Sequence, residues 1–332
     1  MSKISAIITS YNQKDSIIRA VESVVSQAAG GIEIEIIIGD DGSDSETLDQ
    51  ISGIEEKYAS EHVAVSHFVM SRPESGVPVI PSIRVSNVIK RGLSEATGDY
   101  CVILSADDLF CDNTKFIKAI EFLDSNPDYF SFVSGFRFVG ESDKECIPFV
   151  PSSKLFWAHF DYYHVSCFVF RKMRPEMLLD RFCDDTGLVY SILKCGKCKA
   201  DSSITFEYEQ KSGGITRSST PCQLLIIEAM IFQDILNDKS PVSGFKSATY
   251  SRKYGFMKEL HAHRAELNDP RYEHLLNNSR GYDNDIAGKM ASCSGAGGKI
   301  WYVFFLLRMS FYHFPVSVIW RICKLFRRSS EK

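Results

Sequence analysis

Apolar and polar positions alternate in blocks along the first hundred residues. KISAIIT (residues 3–9) is a short apolar run that breaks off in SYNQKD, and it predicts a buried strand. The following SIIRAVESVVSQA sets Ile17, Val21, Val24 and Val25 at helical spacing. GIEIEIIIG predicts a second strand that runs straight into DDGSDSET. A helical stretch to Tyr58, a third strand near VAVSHFVM, a helix around SIRVSNVIKRGLSEATG and a fourth strand, YCVILSA, continue the alternation. Strands alternating with helices imply an α/β fold with a mostly parallel sheet and right-handed crossovers. In such sheets ligands gather outside the carboxyl ends of the strands. The clusters TSYNQ, DDGSD and SADD each follow a predicted strand, so all three are expected at one sheet edge.

That edge would be acidic. Asp40, Asp41, Asp107 and Asp108 in one place repel one another unless a cation or hydrogen-bond donors compensate them. The adjacent pair Asp107 and Asp108 by itself reads either as a solvated strand end or as a divalent metal site. With the other clusters beside it, a metal bound to a diphosphate explains the charge, and carboxylate oxygens suit Mg2+ or Mn2+. Two other phosphate-binding solutions are absent from the sequence. No G-x-G-x-x-G follows the first strand and no G-x-x-x-x-G-K-[ST] occurs. A sugar nucleotidyltransferase would place a glycine-rich basic loop after the first strand, where this chain has the glycine-free TSYNQKDS.

The motifs ITSYNQ, IIIGDDGSDSET and ATGDYCVILSADDLF, in that order and spacing, resemble the inverting glycosyltransferases of family 2, which have the GT-A fold. Further on, DDTGLVYSILKCGK resembles that family's acidic segment opening a helix, and YEQKSGG resembles its Y-R-x-H-x-G-G loop. The resemblance covers about residues 3–218. It implies that Thr9 and Tyr11 line the nucleotide base and that Asp40 or Asp41 accepts from base or ribose. Asp107 takes the place of the metal-holding second acid of D-x-D, with Asp108 supporting it. Asp185 takes the place of the catalytic base, with Asp184 beside it. Two positions depart from the pattern: Ser105 replaces the first acid of D-x-D, and Lys211 replaces the loop histidine. A lysine cannot ligate a metal while charged, but it can pair with a diphosphate as a point charge. The expected activity is transfer of one sugar, with inversion, from a nucleotide-sugar donor to a glycan acceptor, lipid-linked in cell-surface polysaccharide synthesis. The alternative is a catalytically weak or inactive module that binds sugar nucleotides or scaffolds a glycan assembly complex.

Other residues carry weaker signals. His164, in YYHVSCFVFRK, reads equally as an acceptor-side residue or as a satisfied structural histidine. His261 and His263 stand two apart and would point to different helix faces, which favours a solvated surface over a metal pair. The ten cysteines are scattered through 332 residues, the pattern of a reduced protein. CGKC (Cys195 and Cys198) has no second pair to complete a zinc site, so both read as structural.

Charge adds a division of the chain. The net charge is −4, yet Lys299 to Lys332 holds seven basic residues against one acidic. The rest is therefore strongly negative, and only the tail invites an anionic partner. Its basic residues alternate with bulky apolar ones, which fits an anionic membrane surface and not nucleic acid. Ser317, Arg321, Lys324 and Arg328 fall on one helical face, as in interfacial helices. Three parts are expected: a GT-A domain over 1–218, a helical C-terminal extension over 219–295, and a basic aromatic membrane-associating tail over 296–332. No secretory leader is visible. The expected location is cytoplasmic, peripheral to the inner face of the plasma membrane. An oligomer is left open.

Overall fold

A computed structural model of the chain describes residues 2–28, 31–72, 81–140, 144–148, 163–179, 185–209 and 221–238. The chain divides into two compact units, residues 1–151 with 161–211, and residues 152–160 with 212–332. Residues 2–148 and 163–209, so far as they are described, belong to the first unit.

The first unit opens with β1 (Lys3–Ser10), whose apolar run is almost wholly buried, followed by α1 (Ile17–Val25). Ile17, Val21 and Val24 face inward, with Val25 at the edge of that stripe. Next come β2 (Glu33–Asp40), α2 (Ser45–Tyr58), β3 (Val63–Val69), α3 (Pro81–Glu95) and β4 (Tyr100–Ser105). These four strands pair in parallel in the order β3-β2-β1-β4, as helical crossovers require. The centre of the sheet is buried on both faces, which explains the unbroken isoleucine and valine runs. The helix α3 lies directly on β1: a Cβ on Gly92 would stand 2.6 Å from Ile7 Cγ2, so no larger residue fits there without a shift.

Beyond β4 the sheet becomes mixed. It continues through β5 (Leu109–Phe110), α4 (Lys115–Ser125), β6 (Tyr129–Val139), β7 (Glu145–Cys146), β8 (Phe168–Arg171), α5 (Asp185–Cys195) and β9 (Lys197–Glu209). The strand order extends as β4-β8-β6-β9-β5, with β7 on β6. β8 is antiparallel to both β4 and β6, β7 to β6, and β5 to β9, whereas β6 and β9 are parallel. The parallel character expected for the sheet is thus unbroken in its first half and recurs beyond it in the β6–β9 pair. A hairpin such as β6–β7 can only pair antiparallel, because parallel neighbours need a crossover of a dozen or more residues.

In the second unit, α6 (Pro221–Asn237) buries Ile227, Met230, Ile231, Phe232 and Ile235. No helix among the described residues is long and apolar enough to cross a membrane. The basic tail, His261 and His263 lie outside the described residues.

Candidate active site

The three polar clusters meet at one edge. Register aligns Thr9 with Gly39 on one side and with Ser105 on the other, so β1, β2 and β4 end together. Main-chain bonds stitch the ends across: Asp41 N donates to Ser10 O at 2.9 Å and Ala106 N to Thr9 O at 2.9 Å.

The two acids of DDGSD have separate tasks. Asp40 is fully buried and folds the loop, accepting from Gly42 N (2.9 Å), Ser43 N (2.7 Å) and Ser43 Oγ (2.5 Å). Gly42 has φ +76°, and a Cβ there would stand 2.8 Å from Arg72 Cγ, so the turn needs glycine on both counts. Asp41, with its side chain 8% exposed, faces two arginines. Arg72 Nη2 donates to its Oδ2 at 2.9 Å and Arg84 Nε to its Oδ1 at 2.7 Å. A buried carboxylate is tolerable only with such partners. Arg72 also stacks on the Tyr11 ring, 3.7 Å from its centroid, and donates to the Tyr11 hydroxyl at 2.7 Å. Tyr11, Asp41, Arg72 and Arg84 therefore form one connected wall. The position of Arg72, just after β3, follows the same strand-end rule that singled out the other clusters. Nothing in the sequence marks Arg84, which reaches in from α3.

The other end of the edge is acidic. Ser105 donates its hydroxyl to Asp107. Asp108 is 4% exposed and accepts from Glu209 N at 3.0 Å. That bond follows from the fold, because β5 pairs Leu109 with Glu207 and so draws the end of β9 beside Asp108. The carboxyl of Asp108 is pushed well above the usual range, first by burial and then by the charge of Asp107, with further contributions from Asp185 and Glu209. Asp108 is thus no solvated strand end. Asp107 is half-buried, and the carboxyls of Asp185 and Glu209 also act on Asp108, with Glu209 paired to Arg19 at 3.5 Å.

This gathering of carboxyls is the test of whether a divalent cation fits. Carboxylate oxygens are the right donors for Mg2+ or Mn2+. Among the described residues, however, no three His, Cys, Asp or Glu side chains stand close enough together to form a metal site. Of the described residues, Asp107 would hold such an ion, and they form no all-protein cage for it.

Asp185 is the first residue of α5, where the positive end of the helix favours a carboxylate. Residues 186–193 of that helix are all buried, yet the Asp185 side chain remains 54% exposed. Its nearest described neighbour of interest is His164, whose Nε2 lies 3.6 Å from Asp185 Oδ1. The His164 imidazole stacks on Phe206 with centroids 4.7 Å apart. Lys115 lies beneath, 1% exposed, and donates to the carbonyl of Ser166 at 2.6 Å. Burial lowers its pKa to about 8. Nothing in the sequence marks Lys115, which opens α4 as an ordinary polar residue. The thiols of CGKC are pushed up by burial, to about 11 at Cys195 and about 12 at Cys198, which fits structural cysteines. Asp184 and Lys211 lie outside the described residues.

With this geometry in place, comparison with known proteins is informative. Residues 5–163 match the Glycosyl transferase family 2 profile. This region is a family 2 glycosyltransferase domain. An uncharacterized glycosyltransferase of Mycoplasma genitalium is 30% identical over 112 residues, 34% of each chain. One from a Nostoc species is 31% identical over 109 residues, 32% of this chain and 29% of its own. The matched segment thus spans about a third of these relatives. Among solved structures, Staphylococcus aureus TarS 1-349 in complex with UDP-GlcNAc has TM-score 0.53 and 16% identity, over 88% of this chain and 91% of TarS 1-349. The mannosyltransferase PcManGT of Pyrobaculum calidifontis, in complex with GDP-Man and Mn2+, has TM-score 0.52 and 15% identity, over 94% and 87%. At such identities the likeness shows the fold, and the fold of the glycosyltransferase domain is GT-A.

Proposed function

We propose that the protein is an inverting glycosyltransferase that moves a sugar from a nucleotide-sugar donor to a glycan acceptor, lipid-linked in cell-surface polysaccharide synthesis. The observation that carries this reading is the polarity of the sheet edge. An aromatic and arginine-braced wall stands at the ends of β1 and β2, an acidic end follows β4, and an exposed carboxylate opens α5. A nucleoside diphosphate sugar has matching parts in that order: a flat base, a diphosphate and a sugar.

The base and ribose lie against Thr9, Tyr11 and the Asp40–Asp41 loop, and the diphosphate reaches toward Ser105 and Asp107. Asp107, with support from Asp108, would hold a divalent cation, Mg2+ or Mn2+, which when bound would supply positive charge against that of the leaving diphosphate. Lys211, two residues past the end of β9 in the sequence, supplies a second positive charge in the role that the resemblance gives to a histidine. Asp185 takes the proton of the acceptor hydroxyl as that oxygen attacks the anomeric carbon from the face opposite the leaving group. General-base help of this kind is worth about 10²- to 10⁴-fold. Asp184, the residue before it in the sequence, would raise the pKa of the pair or hold a partner. The complexes of TarS with UDP-GlcNAc and of PcManGT with GDP-Man make these two the first donors to assay.

The test is Asp185→Asn. Donor affinity is expected to persist while transfer is lost, because a base acts in the chemical step and not in holding the nucleotide. An Asp185→Asn protein with full transfer overturns the assignment; if Asp184→Asn is then the dead variant, the base lies one residue earlier. Absence of donor hydrolysis by the wild-type protein, with donor binding retained, would support the alternative of an inactive binding module. The Ser105 hydroxyl bond to Asp107 is the feature that favours that second reading, since it occupies one oxygen of the cation's ligand.

A further inference from the structure

We infer that His164 is a positioning residue for Asp185: its Nε2–H is directed at one carboxylate oxygen and leaves the other for the acceptor hydroxyl. The inference rests on the reading of Asp185 as the base.

The geometry comes from both ring nitrogens. His164 caps a single turn of 3-10 helix, Val165–Cys167, and its Nδ1 faces the Ser166 N–H at 3.3 Å. A main-chain N–H can only donate, so Nδ1 must accept and carries no proton. The single proton of a neutral imidazole is then on Nε2, the nitrogen 3.6 Å from Asp185 Oδ1. That separation is somewhat beyond hydrogen-bond length. Catalytic contacts of this kind are commonly long without substrate and tighten in the reacting complex.

The ring has little freedom to do anything else. It is stacked on Phe206 at an interplanar angle of 20° and flanked by Tyr208 and Phe136, with centroids 5.3 and 6.0 Å away. The turn below is fixed by Cys167 N donating to His164 O at 2.9 Å and by Lys115 Nζ on Ser166 O. Among the described residues the charged groups facing the imidazole are Asp185, Lys115 and Asp107, and burial shifts its pKa downward, toward the neutral form. A neutral histidine donates to a carboxylate without neutralising it, so Asp185 keeps the charge a base needs.

The tautomer can be read directly on the full-length protein by proton–nitrogen NMR of its histidine side chains, with the His164→Gln variant assigning the signal. The expected result is a proton on Nε2, none on Nδ1, and a displaced Nε2 resonance in Asp185→Asn. A proton on Nδ1, or an Nε2 resonance indifferent to Asp185→Asn, overturns the inference. Kinetics adds a crossed pair of variants, read as nucleoside diphosphate release from UDP-GlcNAc with Mn2+. Asn places its oxygen where Nδ1 was, keeping the cap of the turn but losing the donor. Gln reaches the Nε2 position, losing the cap but keeping the donor. A positioning role predicts that His164→Asn lowers kcat by about 10²-fold with donor KM unchanged, while His164→Gln keeps most of the rate. A purely structural histidine gives the reverse order. If Asp185→Asn itself remains active, the base assignment falls irrespective of the histidine. If Asp185→Asn is dead and His164→Asn behaves as wild type, only the present inference falls.

Discussion

Replacing Lys115 with Met tests how a buried ammonium is carried in this fold. Lys115 is fully enclosed, with the Ser166 carbonyl 2.6 Å from Nζ and the Phe110 ring 4.5 Å away. Burial takes its pKa from the ordinary 10.5 to about 8, so the charged form is disfavoured in the fold by about 3 kcal/mol relative to the neutral amine. Between pH 8 and 10.5 the unfolded chain holds the proton that the folded one has released, so stability rises with pH through that window. At pH 9.5 the gain from this residue alone is about 2 kcal/mol over neutral pH. Met fills a similar volume and does not titrate, but it leaves the Ser166 carbonyl without its donor, at a cost of roughly 1–3 kcal/mol. At pH 7 that loss is offset by removal of the buried charge, and the two proteins are expected to be close in stability. At pH 9.5 the wild type should be ahead by about 2 kcal/mol more than at pH 7. Urea unfolding of both proteins at the two pH values measures it, and taking the difference cancels every other titrating group. A difference that stays flat from pH 7 to 9.5 would refute the reasoning, because it would mean that Lys115 titrates alike in both states.

Three further outcomes follow from the site and the tail. Asp107→Ala should abolish the Mn2+-dependent part of UDP binding in calorimetry, and Asp108→Ala should weaken it less, since Asp108 is turned toward the Glu209 amide; an unimpaired Asp107 variant would remove the cation from this position. Lys211→Ala should weaken nucleoside diphosphate much more than nucleoside monophosphate, whereas equal weakening of both would point to a general loop defect. Deleting residues 299–332 should shift the protein from the membrane pellet to the soluble fraction with nucleotide binding intact. Near anionic lipid each basic residue contributes about 1 kcal/mol, so a full-length protein indifferent to anionic vesicles would exclude that role for the tail.

The polar and apolar pattern by itself determined the first half of this fold. The isoleucine-rich strands, the helices between them and the convergence of TSYNQ, DDGSD and SADD at one edge could all be read from periodicity. A two-sided buried parallel sheet demands continuous apolar strands and helical crossovers, and those are local properties of the chain. The positions of Thr9, Ser105 and the Asp40–Asp41 loop followed from the same rule.

What each side chain does at that edge depended on tertiary structure. Asp40 and Asp41 are adjacent and identical in type, yet one folds its own loop and the other anchors Arg72 and Arg84 from distant elements. Asp108 is buried because β5 pairs with β9, a contact a hundred residues apart in sequence. His164 and Asp185 meet because a turn before β8 and the start of α5 are brought to the same place, and no spacing in the sequence encodes that. Periodicity reports which face of an element is buried, since burial repeats with the element's own geometry. Charge pairing and proton position depend on single long-range neighbours, and these exist only once the chain has closed.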